Sequence, residues 1–192
     1  VIDSVRREFG GLTAVDVEHL EIPRNAITAL IGPNGAGKTT LFNLLTGFDK
    51  PNAGSWSFDG TALSGIPAYK TARMGQVRTF QLTKSLGLLT VLENMKLGAP
   101  HQRGEKLFAS LFPFLWRAQD AEIEVKAREL LKRFKLDAKE KDFAGALSGG
   151  QRKLLEMARA LMVDPELVML DEPMAGVNPA LKLRRFGVVA RE

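Results

Sequence analysis

The chain has 192 residues, 45% of them hydrophobic and 26% charged, which describes one folded domain and argues against a disordered or fibrous class. There is no cysteine, so disulfides, thiolate zinc sites and a thiol nucleophile are excluded. The net charge of +5 is spread along the chain rather than gathered in blocks, so a nucleic-acid partner is not expected. No apolar run reaches the length of a membrane-spanning helix. Acidic and basic residues mix at the N-terminus (Asp3, Arg6, Arg7, Glu8), unlike a secretory leader, so a cytoplasmic location is the expectation.

In chain order, the apolar run Ala26 to Ile31 predicts a short strand, and a glycine-rich stretch follows. Lys38 to Leu45 predicts a helix with Leu41, Leu44 and Leu45 on one face and Gly47 as its stop. Ser55 to Phe58 alternates and runs into Asp59-Gly60, a strand entering a turn. Thr90 and Glu93 have capping-box spacing and predict a helix start. The Phe- and Leu-rich stretch from Leu107 to Trp116 suits either core packing, the favoured reading, or a contact surface.

Ala118 to about Phe134 predicts a long helix with Ile123, Ala127, Leu130, Leu131 and Phe134 on one stripe. Glu122/Lys126, Glu124/Arg128 and Glu129/Arg133 are spaced to pair on its exposed side. Another helix starts near Ser148, with Leu154, Leu155, Ala158, Leu161 and Met162 on its apolar face, and stops at Asp164-Pro165. Leu167 to Leu170 then predicts a buried parallel strand ending in Asp171-Glu172-Pro173, with its acids where open α/β sheets place active sites.

Gly32-Pro33-Asn34-Gly35-Ala36-Gly37-Lys38-Thr39 matches the phosphate-binding loop G-x-x-x-x-G-K-[ST] in full, with Thr40 next to it. Glycines let backbone N–H groups turn inward around phosphate oxygens, and the helix N-terminus adds its dipole. Lys38 would lie between the β- and γ-phosphates, and the Thr39 hydroxyl would ligate Mg²⁺. Downstream, Asp171 at a strand end would hold the Mg²⁺ shell, and Glu172 is the candidate general base for an attacking water. Leu147-Ser148-Gly149-Gly150-Gln151 at a helix start offers a second phosphate-binding surface. Either the fold brings both surfaces to one nucleotide, or the second serves a nucleotide held by another copy.

This order of motifs resembles the ATP-binding cassette subunit of ABC transporters, over about residues 4 to 181. The resemblance implies an α/β P-loop NTPase fold with an ATPase core at 1–82 and 161–192 and a helical subdomain at 83–160. It implies a head-to-tail dimer, with an identical or a different ATPase subunit, in which Ser148, Gly149, Gly150 and Gln151 bind the γ-phosphate in trans. Phe9 matches the aromatic that stacks on adenine. Gln81 matches the glutamine that touches Mg²⁺ and the attacking water, with Asp171 reaching the metal through water. Ala175 to Asn178 matches the loop crossing the dimer interface, although many members carry Asp where Asn178 stands.

Phe9 to Val15, Gly32 to Gly47, Arg78-Thr-Phe-Gln81 and Leu89 to Asn94 most resemble the LivG-type subunits of branched-chain amino-acid importers. Urea and lipopolysaccharide-export ATPases share part of this set. The implied partners are transmembrane permease subunits, and the implied place is the cytoplasmic side of the membrane. The apolar stretch Leu82 to Leu92, with Leu86 and Leu88, would receive a short helix of the permease; packing within the helical subdomain is the other reading. A soluble ABC ATPase outside transport and a non-catalytic nucleotide-binding regulator remain alternatives.

The family continues past Asn178 with a helix, a strand and a switch histidine. Here the only histidines are His19 and His101, and Leu181 to Glu192 fits the family poorly. The expectation is a truncated chain, or one whose numbering closes over missing residues, so the expectation of hydrolysis does not extend to these 192 residues alone.

Overall fold

A computed structural model describes residues 1–79, 86–105, 112, 114 and 116–171. They fall into two compact units, one of residues 1–77 and one whose described residues run from 78 to 171.

The first unit is built on an antiparallel sheet of β1 (Ile2–Phe9), β2 (Leu12–Leu20), β3 (Ala53–Phe58) and β4 (Thr61–Ala62), in the order β2-β1-β3-β4. Two two-residue turns set its register. Gly10 and Gly11 join β1 to β2, and Asp59 and Gly60 join β3 to β4, all four with positive φ. Turns of this hand match the right-handed twist of the strands they connect. Ile2 and Val5 are both buried although three residues apart, which a regular strand does not allow. Ser4 has φ 50°, and the β1–β3 register shifts between Asp3 and Arg6, so an extra residue resets the alternation.

Helix α1 (Lys38–Leu45) packs on β2 and buries Leu41, Leu44 and Leu45, the three residues its spacing predicts. It ends at Gly47, with φ 74°, whose N–H donates to Leu44 O at 3.0 Å. A Cβ there would come within 2.5 Å of Ile66 O, so both conformation and space require glycine. Helix α2 (Ala68–Arg73) follows, and β5 (Gln76–Arg78) runs across the division between the units.

The strand expected at Ala26 to Ile31 is not formed: this stretch is irregular, and Ile27 and Ile31 are 73% and 90% exposed. An apolar run suits a buried strand, but a strand exists only through ladder hydrogen bonds. Among the described strands none pairs with it.

The second unit has a helical core. Helices α3 (Val91–Lys96), α4 (Arg117–Arg133) and α5 (Gly149–Ala160) bury Val91, Met95, Ala127, Leu131, Leu155 and Ala158 in one cluster, with Ile123 and Phe134 at its edge. Capping boxes open α3, at Thr90 and Glu93, and α5, at Ser148 and Gln151. On α4 the Glu124–Arg128 pair forms at 2.8 Å. Lys126 instead crosses to Met162 O and Asp164, where a backbone carbonyl and a carboxylate converge on its ammonium. After α5, Asp164 takes a left-handed φ of 50° and leads into β6 (Leu167–Met169). Of the Phe-rich stretch, Phe112 and Phe114 are exposed with rings 5.9 Å apart, so at these two positions the core reading does not hold. Among the described residues no helix is long and apolar enough to cross a membrane.

Candidate functional site

The phosphate-binding loop lies in the first unit. Gly35 and Gly37 have φ 81° and 79°, a left-handed backbone that turns successive N–H groups to one side. Gly37 is the N-cap of α1 and lies against β2: a Cβ would fall 1.9 Å from Ala14 O. Gly32 faces Ala36, and Ala36 N–H closes the turn onto Pro33 O at 3.3 Å. Lys38 folds back over this turn and donates from Nζ to Gly32 O and Pro33 O, both at 2.7 Å. Its charge is thus held directly above the loop. Asn34 and Thr39 are exposed, and Thr40 is half-buried.

Phe9 ends β1 and is 47% exposed. The Arg7 guanidinium lies 4.4 Å from its ring centroid and is itself fixed by Asp49, at 3.0 Å from Nε. One ring face is therefore covered by a cation.

In the second unit Asp171 follows β6 and is 4% exposed. Arg78 donates to its Oδ2 at 2.9 Å, and Thr79 N–H donates to Met169 O at 3.0 Å. In the sequence nothing marks Arg78 beyond the family likeness of Arg78-Thr-Phe-Gln81. Its partner lies 93 residues away, and no local spacing signals such a pair.

Ser148 and Gln151 bond each other. Gln151 N–H donates to Ser148 Oγ at 3.3 Å, and Ser148 N–H donates to Gln151 Oε1 at 2.9 Å. Both side chains therefore shape the start of α5. Among the described residues a Cβ at Gly149 would meet nothing within 4 Å, so packing against them does not explain that glycine. Gly150 is half-buried. His19 bonds Asp3 at 2.6 Å in the exposed part of the β-sheet unit. Gln81, Glu172, Ala175 to Asn178 and Leu181 to Glu192 lie outside the described residues.

Thr39 in the first unit offers a hydroxyl and Asp171 in the second a carboxylate, each a hard oxygen donor of the kind Mg²⁺ takes. Among the described residues no group of three His, Cys, Asp or Glu could hold a metal by itself.

A family model for the ABC transporter matches residues 15–175. A probable branched-chain amino acid transport ATP-binding protein LivG from Archaeoglobus fulgidus is 43% identical over 181 residues, covering 93% of this chain and 70% of the relative. A high-affinity LivG from Salmonella typhimurium is 42% identical, with the same coverage. A solved ATP-binding cassette of an ABC transporter, MJ1267, superposes with TM-score 0.78 at 38% identity, covering 94% of this chain and 71% of that one. The α/β P-loop cassette fold follows from that likeness, and the ATPase activity from the matched family. The chain belongs to the ABC transporter family as one of its ATP-binding cassettes.

Proposed function

We propose that this chain is the ATP-binding and hydrolysing subunit of an importer of branched-chain amino acids, or of a similar small polar solute. It works as a peripheral subunit on the cytoplasmic face of the membrane, beside permease subunits and a second ATPase subunit. The ATPase core comprises residues 1–82 and 161–192, and the helical subdomain residues 83–160. The observation that carries the reading is the complete P-loop on α1, with Lys38 held over it at 2.7 Å from two carbonyls.

ATP with Mg²⁺ supplies the transferable phosphoryl group. Lys38 exchanges the carbonyls of Gly32 and Pro33 for phosphate oxygens, and the N–H groups around Gly35 and Gly37 surround them. Thr39 and Asp171 would hold the shell of a bound Mg²⁺, Gln81 would orient the attacking water, and Glu172 would take its proton as the bond from the γ-phosphorus to the ADP oxygen breaks. The signature Ser148 to Gln151 closes on the nucleotide of the opposite subunit, where the open space beside Gly149 admits a close approach. Leu86 and Leu88, 52% and 91% exposed, favour a chain docked to a membrane partner over the free-standing alternatives.

The experiment is uptake of labelled leucine into vesicles holding the full-length protein with its permease subunits. Uptake should need ATP on the ATPase side and vanish with Lys38→Ala. A full complex that hydrolyses ATP but moves no branched-chain amino acid overturns the cargo. In Glu172→Gln, ATP should trap a dimer on sizing chromatography, and turnover at the parent rate would remove Glu172 from its role.

A further inference from the structure

Arg78 and Asp171 form a buried ion pair, their side chains 4% and 6% exposed, with NH2 2.9 Å from Oδ2. Burying two charges is costly, and a fold that needed only a filled space would be served by apolar residues. The pair is also held in register from beside it. Thr79, next to Arg78, donates its N–H to Met169 O, two residues before Asp171. The segment that leads to Gln81 is thus fastened to the segment that leads to Glu172, once through backbone and once through charge.

We infer that Arg78 is the positioning residue of Asp171, fixing the plane of its carboxylate for the metal of the bound nucleotide. A guanidinium is a rigid planar fork; Arg78 reaches the carboxylate through one of its arms, NH2 to Oδ2 at 2.9 Å, and with both side chains buried that bond limits how far the carboxylate rotates. A carboxylate restrained in this way has less freedom to lose when it takes up a metal-bound water. Outer partners of this kind ordinarily change metal affinity 10- to 100-fold. The inference rests on the reading of Asp171 as the metal-shell acid. A pair that merely neutralised a buried charge would be satisfied by any cation.

Lysine separates the two roles, because it keeps the charge and loses the fork. In the full-length protein, Mn²⁺ uptake into the ATP complex is followed by electron paramagnetic resonance, and ATP affinity is measured separately in chelator. Arg78→Lys should keep the metal-free ATP affinity and weaken Mn²⁺ uptake about 10-fold or more. Arg78→Gln, which keeps an N–H donor without charge, should weaken it further. Parent Mn²⁺ affinity in Arg78→Lys overturns the inference. So does a metal-free ATP affinity that falls in step with it, or failure of both variants to fold, since Arg78 would then be structural. Asp171→Asn is the control: if it leaves Mn²⁺ uptake unchanged, the reading of Asp171 fails, not the role of Arg78 toward it.

Discussion

Asn94 and Leu86 hold each other twice: Leu86 N–H donates to Asn94 Oδ1 at 2.9 Å, and Asn94 Nδ2 donates back to Leu86 O at 3.0 Å. The same amide also reaches Leu89 O and Thr90 O, so one fully buried side chain ties the loop to the first turn of α3. On its other side Gly145 N–H donates to Gly87 O at 3.0 Å, and Ala144 N–H to Leu89 O at 2.9 Å. The exposed Leu86 and Leu88 are therefore displayed on a fixed loop.

Asn94→Ala leaves the Leu86 N–H without its partner and takes one of two donors from the carbonyls of Leu86, Leu89 and Thr90. A part-buried donor left unpaired costs about 1–3 kcal/mol, so urea unfolding should show a loss in that range. Leu88→Ser, at a site 91% exposed, should change stability by less than about 0.5 kcal/mol, leave ATP binding intact and reduce uptake per ATP hydrolysed. A large stability loss at Leu88 would return that leucine to the core.

Gly37→Ala tests the seat of the P-loop. The new methyl would lie 1.9 Å from Ala14 O, at a φ of 79° that alanine adopts at a cost of about 1–2 kcal/mol. The unfolding midpoint should fall and MgATP binding should be lost. Unchanged melting would mean that β2 does not hold the loop.

Thr90 donates to the Glu93 carboxylate through its backbone N–H and its hydroxyl, both at 2.8 Å. These bonds hold the Glu93 carboxyl below its ordinary pKa of 4.5, the backbone bond contributing most. A depressed pKa means stability fully present above the ordinary value and lost as pH falls through the lowered one. An NMR titration should therefore place the Glu93 midpoint below 4.5, with α3 fraying as it is passed. Thr90→Ala keeps the backbone donor, so the midpoint should rise only part of the way.

What the sequence made legible was local. The face of α1, the caps at Thr90 and Ser148, the Asp59-Gly60 turn and the stripe of α4 all follow from spacings of two to four residues, and they form as read. What it hid was non-local. Residues 26–31 carry the composition of a strand without a described strand beside them. Lys126 has a helical neighbour at the right spacing but finds Met162 O and Asp164 across the unit. The Arg78–Asp171 pair and the amide of Asn94 depend on which loops the fold brings together, and nothing periodic marks either.

If the P-loop of this chain binds ATP through Lys38, calorimetric titration with MgATP will show it. Removing an ammonium that meets phosphate oxygens should cost about 3 kcal/mol, roughly 100-fold in affinity, in Lys38→Ala that still melts as the parent does. Parent affinity in that variant would contradict the account.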